Sequence, residues 1–455
     1  MQILENLEKP LPLKKELGLL GSFAMGFADV GADVFLALGL IAAYAHGLMP
    51  LALIAASIVY VCSGFSYAEL AAAMPVCGGA SAFGKRAFGN WAGFVAGWGL
   101  MLDYTIDIAL FAVASAGYLS FFVPEIRAFF PLVAAGITFI LMLINLFGIR
   151  ESSALNGGLT VIVIAIVLGL LAFGFGTTFS MEKFTAGLTP INADPGVDSF
   201  LYAITLAMVT FVGIESISQG AEETRDPGKT IPRATMLAVF SVVFFAIAVS
   251  VLSLGVVSWQ ALADNMDHPF VAVGQALPAP EIVVPIIAFA GFVICFVSAN
   301  TGIIGVSRVA YSMSCANLIS RKVKWLHPRF RTPWVTIIFF SVVAMFLAYF
   351  GNMVLLGELY AFGALTAYTI TNLSQIALRF KEPGLVRPFK VPLNIRFGTG
   401  DVSLVAVIGV ASCLAVFFLV ALLHEQGRNF AFVWFAAGII YFAVAKNGKQ
   451  PAAMC

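Results

Sequence analysis

Long stretches without a charged residue are the feature that most constrains this sequence. Residues 152–181, 234–263, 282–307 and 332–357 contain no Asp, Glu, Lys or Arg. A helix needs about 20 apolar residues to cross the hydrocarbon of a bilayer, so each of these stretches is long enough to span. Charged residues make up only 11% of the 455-residue chain, against about 25% in soluble proteins, and this difference excludes a soluble fold.

The same criterion, applied along the whole chain, predicts an all-α integral membrane protein with twelve transmembrane helices. The predicted helices cover residues 18–44, 50–74, 92–120, 129–148, 155–176, 199–219, 234–259, 282–307, 333–351, 356–378, 402–423 and 429–445. The loops between them are too short to hold independent domains, so we expect residues 1–455 to form a single domain.

The distribution of basic residues predicts the orientation, because cytoplasmic loops carry an excess of Lys and Arg. With the N-terminus inside, all but three of the 25 Lys and Arg residues fall in inner segments, the exceptions being Arg127, Lys183 and Arg428. Both termini are therefore expected in the cytoplasm. The absence of a targeting peptide or a glycosylation-rich ectodomain favours a plasma membrane, and a prokaryotic inner membrane in particular. A net charge of +1 without a basic stripe argues against a nucleic-acid partner.

Carboxylates inside the predicted spans are the main functional signal. Seven are present, and no Lys or Arg accompanies them. Glu69 and Glu358 lie near helix ends, where we expect structural or capping roles. The deeper ones are Asp29, Asp33, Asp103, Asp107 and Glu215. Acidic residues at membrane depth face a water-filled path or the bundle interior, carry a proton, or bind a cation, so these five are candidate proton or coupling-ion sites.

Two of the spans share a local pattern. Gly31 precedes Asp33 by two residues in the first, and Gly213 precedes Glu215 by two in the sixth. Glycine weakens a helix, and a broken helix within a membrane is tolerated only where it lines a cavity. If residues 18–176 and 199–378 are inverted five-helix repeats, with 402–445 appended, two such breaks meet at the midplane, as in secondary transporters. The alternative is glycine used for close helix packing.

Four segments in sequence order carry a resemblance to a known family. They are MPVCGGASAFGKRAFGN (74–90), GWGLMLDYTIDIALFAVASAGYL (97–119), FVGIESISQGAEETRDPGKTIPRA (211–234) and RPFKVP (387–392). The chain resembles the amino acid, polyamine and organocation (APC) transporter superfamily over nearly its whole length. The resemblance implies a 5+5 inverted repeat with discontinuous helices 1 and 6, two added C-terminal helices, and transport by alternating access without a cofactor.

The resemblance also implies a small-molecule substrate, an amino acid or an amine. Carried over by position, the substrate-binding residues are Val30, Gly31, Ala32, Asp33, Phe211, Val212, Gly213 and Ile214. Phe211 would be a gating aromatic, with ordinary packing as the alternative.

The chain also departs from the family pattern. Relatives usually have Gly-Ser-Gly or a similar run in helix 1, where this chain has Gly31-Ala32-Asp33. An ionised Asp33 would repel a substrate carboxylate, so it is protonated, points away, or meets an amine. The predicted fifth helix lacks the Lys that replaces a sodium ion in some proton-coupled relatives. Helix 8 offers Ser298, Asn300 and Thr301 as ligands for a small monovalent cation, or as interhelical hydrogen-bonding groups.

Three functions are compared. The first is amino acid transport, coupled to protons or another cation or working by exchange, with Asp33 and Glu215 nearest the substrate or coupling ion. The second is transport of a polyamine or another organic or inorganic cation, which the acidic interior suits. The third is a Mg²⁺-dependent prenyl enzyme, because Asp103 and Asp107 form a D-x-x-x-D motif. No second acidic cluster accompanies this motif, so we expect a transporter in a lipid bilayer without enzyme activity or a metal site.

Overall fold

The computed structural model describes residues 15, 17–147, 149–188, 194–266, 268–330, 332–350, 353–398 and 400–447. The two chain ends, which the sequence predicts to be cytoplasmic, fall largely in 1–14 and 448–455 and lie outside the described residues. So do the basic residues Lys9, Lys14, Arg331 and Lys449, which contribute to the predicted orientation.

The described chain is built almost entirely of helices. They are α1 Leu19–Ala45, α2 Met49–Ala73, α3 Ala80–Phe88, α4 Asn90–Phe122, α5 Phe130–Phe147, α6 Ile149–Thr177, α7 Met181–Gly187, α8 Val197–Ala207, α9 Ser216–Gln219, α10 Pro227–Val256, α11 Trp259–Ala263, α12 Pro269–Gln275, α13 Pro280–Cys315, α14 Trp334–Phe350, α15 Met353–Lys381, α16 Leu404–Leu423 and α17 Glu425–Asn447.

The number of apolar helical segments agrees with the sequence. Ten segments of the described chain are long and apolar enough to cross a membrane, and the first, Leu19–Ala73, holds both α1 and α2. The 17-residue helix α14 is a shorter apolar helix. Together these segments account for the twelve predicted helices, and the chain is an all-α multi-pass membrane protein. Several helices run past their predicted ends, so that α13 continues to Cys315 and includes Arg308.

The sixth span is interrupted, as the sequence predicts. Helix α8 ends at Ala207, a 3-10 turn covers Val209–Phe211, and α9 begins at Ser216. Between them Val212 is extended and Gly213 has φ 116°. That φ lies in the region that favours glycine, because a Cβ there clashes with the backbone. Gly213 therefore fixes the position of the break.

The first span is continuous, so the predicted break at Val30, Gly31, Ala32 and Asp33 is wrong. Helix α1 passes through all four residues, and Gly31 has no positive φ. A glycine inside a helix costs only about 1 kcal/mol relative to Ala, which is too little to break a helix that is packed on all sides. A Cβ at Gly31 would lie 3.0 Å from the Phe27 ring. This glycine allows close packing, which was the alternative considered from the sequence.

A buried ion network joins α2 to α15. Arg379 donates to Glu69 Oε1 at 2.9 Å and to Glu69 Oε2 at 2.5 Å, and Arg387 Nε lies 3.4 Å from Glu69 Oε1. Glu358, near the other end of α15, accepts from the Tyr202 hydroxyl at 3.0 Å and from the Gly427 amide at 2.9 Å. Both carboxylates have protein partners, in agreement with structural roles.

A small β-hairpin follows α15 and was not predicted. Strands β1 Asn394–Phe397 and β2 Gly400–Ser403 pair antiparallel. The strands are only four residues long and lie between Pro-rich and Gly-containing segments, so their alternation is too short to separate from a loop. The hairpin leads directly into α16, where Ser403 Oγ accepts from the Ala406 amide at 3.3 Å.

Burial of His424, in the turn between α16 and α17, predicts that the stability of the folded protein depends on pH. Burial lowers the pKa of His424 from 6.5 to about 4, and its Nε2 lies 2.7 Å from the Thr205 hydroxyl. The folded pKa is below the unfolded one, so this stability is complete above pH 6.5 and is lost as the pH falls toward 4. We expect a loss of about 2 kcal/mol between pH 7 and pH 5, at about 1.4 kcal/mol per pH unit below 6.5. Denaturant unfolding of the detergent-purified protein measures it, and His424→Gln should reduce the pH dependence.

Candidate functional site

The interruption at Gly213 exposes main-chain groups to the polar side chains of Tyr368 and Glu215. The Gly213 amide donates to the Tyr368 hydroxyl at 3.2 Å and to Glu215 Oε2 at 3.3 Å. The Tyr368 hydroxyl donates to Glu215 Oε2 at 2.8 Å and lies 3.3 Å from the Phe211 carbonyl oxygen. Tyr368 of α15 thus substitutes for the helical hydrogen bonds that the break removes. Its loss would leave the freed backbone groups unpaired.

All five deep carboxylates are buried. Their exposed fractions are 0% for Asp29, Asp33 and Glu215 and 1% for Asp103 and Asp107. Within the described residues none of the five forms an ion pair with Lys, Arg or His. Several of their oxygens also have no hydrogen-bond partner in that part of the chain. An ionised carboxylate in such a place is costly, so these groups require a proton or a cation.

Asp29 lies against the break in the sixth span. A Cβ added to Gly213 would lie 2.7 Å from Asp29 Cγ and 2.8 Å from its Oδ2. Ser298 of α13 donates to the Asp29 carbonyl oxygen at 3.3 Å and lies 3.4 Å from Asp29 Oδ1. The only residue at position 213 that allows this close approach is glycine. Helix α1, the break and α13 therefore meet at Asp29.

The two aspartates of the D-x-x-x-D motif face different neighbours. Asp103 lies near Glu215, and neither of its oxygens has a hydrogen-bond partner in the described chain. Asp107 Oδ1 accepts from the Tyr360 hydroxyl at 3.1 Å, and its Oδ2 has no partner in the described chain. Two neighbouring carboxyl groups repel when both are ionised, and one shared proton removes that repulsion. The pair of Asp103 and Glu215 is thus suited to holding a proton.

The predicted site residues of the first span lie close to this region, but their main-chain groups are paired within the helix. Val30, Ala32 and Asp33 are fully buried, and both Asp33 oxygens lack a partner among the described residues. Because α1 is continuous, the amides of Val30, Gly31, Ala32 and Asp33 take part in the helix. Asp33 therefore lies in the middle of a continuous helix and does not cap a half-helix. The first span presents side chains to this region, and the sixth presents backbone.

Phe211, Val212 and Ile214 flank the break and are fully buried. The Phe211 ring packs at 5.4 Å, centroid to centroid, from the Tyr60 ring of α2. A gating role for Phe211 stays a prediction, since the same contact is what ordinary packing produces.

The polar residues of α13 divide between two networks. Ser298 faces Asp29, as described above, whereas Asn300 and Thr301 form hydrogen bonds with residues of α5 and α6. Asn300 accepts from Asn145 Nδ2 at 2.6 Å and donates to Asn156 Oδ1 at 2.9 Å. Asn156 Nδ2 in turn donates to Thr301 Oγ1 at 2.9 Å. Asn300 and Thr301 therefore link α13 to α5 and α6, which favours an interhelical role over ion binding.

Sequence reasoning missed the tyrosines of the site. Tyr360 and Tyr368 hold Asp107 and Glu215, and three further buried hydroxyls, those of Tyr60, Tyr67 and Tyr104, have no partner in the described chain. The Tyr67 and Tyr368 rings lie 5.8 Å apart. A buried tyrosine hydroxyl normally has a partner, so these three hydroxyls near the carboxyl groups are candidates for a hydrogen bond to the substrate. The available signal was two tyrosines two turns apart in the tenth predicted helix.

The arrangement suits cations and protons. Backbone groups at Gly213, carboxyl groups from α1, α4 and the sixth span, and tyrosine hydroxyls surround one interior region. Within the described residues no three His, Cys, Asp or Glu side chains are grouped as a metal site requires. Single carboxylates and hydroxyls are enough to bind a proton or an ammonium group. Ca²⁺ and Mg²⁺ instead need a shell of several converging oxygen ligands.

Comparison with known proteins agrees with this architecture. The branched-chain amino acid permease BcaP of Bacillus subtilis (strain 168) is 26% identical, over 96% of this chain and 94% of its own. The low-affinity putrescine importer PlaP of Escherichia coli (strain K12) is 26% identical, over 96% of this chain and 95% of its own. The methylthioribose transporter of Bacillus subtilis (strain 168) is 26% identical, over 92% of this chain and 90% of its own. The model of the family described as "Amino acid permease" matches residues 17–445. The chain therefore belongs to the amino acid permease family and is a membrane transporter, not an enzyme.

Proposed function

We propose that this transporter carries amino acids by alternating access and is coupled to protons. The observation that carries the proposal is the junction of Gly213, Asp29 and Glu215, where interrupted backbone meets two buried carboxyl groups, each with one oxygen that has no hydrogen-bond partner in the described chain. Freed amides suit a carboxylate group, and carboxylates suit an ammonium group, so the junction offers both contacts that an amino acid needs. Val212, Gly213 and Ile214 supply the backbone in this proposal, and Asp29 and Asp33 supply the side chains.

The proposed movement uses two inverted repeats, residues 18–176 and 199–378, with 402–445 packed outside them. The buried pair of Arg308 and Glu223, whose atoms lie 3.1 Å apart, joins α13 to the segment after α9. Breaking a buried ion pair of this kind is costly, so it holds one side of the path closed in the conformation described here. We place the protein in a prokaryotic plasma membrane with both termini in the cytoplasm, because of the predicted loop charges.

Proton coupling is proposed at the pair of Asp103 and Glu215. The two carboxyl groups share one proton, which leaves the pair one negative charge for the ammonium group of the substrate. Proton and substrate are then bound at the same time and cross to the other side together. Asp33, Asp107 and Asp29 are the other groups through which the proton can move. The chain has no basic residue in the middle of its fifth predicted helix, so a carboxyl pair is the available alternative.

A second candidate cargo is a polyamine or another organic cation. It is favoured by the five buried carboxyl groups without an ion-pair partner in the described chain, which suit a solute with more positive than negative charge. Relatives of similar identity carry names for an amino acid, a putrescine and a methylthioribose transporter. A sequence identity near 26% to these relatives therefore does not indicate which substrate this chain carries.

Transport by the purified protein in proteoliposomes tests both cargoes. We expect uptake of a labelled neutral amino acid to rise at least about fivefold when the outside is one pH unit more acidic, since a tenfold proton gradient is worth about 1.4 kcal/mol. Excess unlabelled neutral amino acid should abolish uptake, whereas putrescine should not. If putrescine abolishes uptake and the neutral amino acid does not, the transported substrate is an amine. Uptake equal to that of empty vesicles for both classes contradicts the proposal.

A further inference from the structure

A second polar site lies outside the bundle, beyond the C-terminal end of α15. It is a cavity of about 490 Å³ whose wall is formed by the loop after α15 and by the β-hairpin. Its charged lining residues are Arg379, Arg387, Lys390, Arg396 and Asp401. The cavity is separate from the buried carboxyl groups, and nothing in the proposed transport cycle uses it.

Three of the four cations already have protein partners. Arg379 is held by Glu69, and Arg387 donates from Nη2 to the Leu378 carbonyl oxygen at 2.9 Å. Lys390 pairs with Asp401, whose pKa it lowers. Arg396 lies on β1 directly opposite Asp401, but no hydrogen bond or ion pair of its side chain is present in the described chain. Its guanidinium group is therefore the cation with all its donors available.

The charge balance of the cavity favours an anion. Four basic side chains face it, and the carboxylates near them in the described chain are Asp401 in the wall, Glu69 behind it and Glu382, whose charge is matched by its own ion pair with Arg86. Two positive charges are therefore left without a matching negative charge. An arginine fork matches the oxygens of a phosphate group in a bidentate manner, and a neighbouring lysine adds a point charge. A phosphate group of charge −1 to −2 fits this balance.

The hairpin places the cavity at the membrane boundary. Side chains alternate along β1, so Arg396 lies on one face while Ile395 and Phe397 lie on the other, 58% and 70% exposed. The hairpin lies between two apolar spans, Met353–Lys381 and Leu404–Leu423. A segment that joins two spans emerges at the membrane surface, where basic residues bind anionic lipids.

We propose that this cavity is a phosphate-binding site, with Arg396 and Lys390 as its principal contacts. The phosphate belongs either to the headgroup of an anionic phospholipid or to a free phosphate ion. The same two side chains contact it in either case. Arg379 and Arg387 form the fixed part of the wall, because their donors are held by Glu69 and by backbone oxygens.

The test is ligand-induced stabilisation of the full-length protein in detergent. The unfolding midpoint is followed during titration with dihexanoyl phosphatidylglycerol, dihexanoyl phosphatidylcholine or inorganic phosphate. We expect saturable stabilisation by phosphatidylglycerol and about tenfold weaker apparent binding in Arg396→Gln, since a charged hydrogen-bonding pair is worth about 1.5 kcal/mol or more. Both substituted positions, 396 and 390, are exposed, so Arg396→Gln and Lys390→Gln should fold normally.

Arg233→Gln is the matched control, because Arg233 is an exposed cation near the start of the apolar helix α10 and does not line the cavity. It loses the same charge and should bind like the unmodified protein. Stabilisation by phosphatidylglycerol alone assigns the site to lipid, and stabilisation by inorganic phosphate as well assigns it to free phosphate. Equal binding by Arg396→Gln, Arg233→Gln and the unmodified protein, or equal stabilisation by phosphatidylcholine, overturns the proposal.

Discussion

Glu215→Gln is expected to lower proton-driven uptake by at least about 100-fold while the protein still folds. Glutamine is nearly isosteric and keeps an oxygen that can accept from Tyr368, whose hydroxyl lies 2.8 Å from Glu215 Oε2. What it removes is the shared proton of the pair with Asp103 and the negative charge that an ammonium group would meet. Loss of one charged hydrogen-bonding interaction is worth about 1.5–3 kcal/mol, or roughly 10- to 100-fold. The loss of proton binding at the pair lowers the rate of uptake further.

The measurement separates the two roles of Glu215. Initial rates of uptake driven by a pH gradient are compared with counterflow, in which labelled and unlabelled substrate exchange without net proton movement. If Glu215 carries the proton, Glu215→Gln loses net uptake and keeps counterflow. If it contacts only the substrate, both rates fall together.

Glu358→Gln is the matched control, because Glu358 is a buried carboxylate paired with Tyr202 and Gly427 far along α15 from Tyr368. Gradient-driven uptake by Glu215→Gln at the unmodified rate contradicts the proposed proton site.

The sequence was sufficient for the parts of the fold that depend on hydrophobicity alone. Twelve spans follow from the lengths of the apolar stretches, because the bilayer imposes that length on each helix. The burial of Asp29, Asp103 and Glu215 follows in the same way, since their neighbours along the chain are apolar. These features are local, so each can be recognised without knowing which helices pack together.

The features that the sequence could not supply depend on contacts between distant helices. Gly31 and Gly213 have the same spacing to an acidic residue, yet only Gly213 adopts a positive φ. The difference lies in the surroundings, because the Phe27 ring packs over Gly31 and Tyr368 bonds the freed groups at Gly213. Asn300 likewise has neighbours on α5 and α6 that no pattern within α13 indicates.

Gly213→Ala is expected to abolish transport, with a fall of at least about 100-fold. An L side chain at φ 116° is strained by roughly 1–3 kcal/mol. The added Cβ would also lie 2.7 Å from Asp29 Cγ, so the backbone or Asp29 must move. Either movement separates the break from the carboxyl groups of α1. Uptake into proteoliposomes measures the effect, and size-exclusion chromatography in detergent verifies that the variant is folded.

Two further glycines in helices make this experiment specific. At Gly136 in α5, apart from its chain neighbours and the nearby backbone of its own helix, no atom lies within 4 Å of the position that a Cβ would take, so Gly136→Ala should leave uptake unchanged. Gly31→Ala adds a better helix former to a continuous helix, and the Phe27 ring at 3.0 Å needs to shift only by a few tenths of an ångström. We therefore expect Gly31→Ala to lower uptake no more than about threefold, the effect of roughly 0.6 kcal/mol. A folded Gly31→Ala variant that is as inactive as Gly213→Ala would show that α1 opens during transport, and that the break at Gly213 is only half of the binding site.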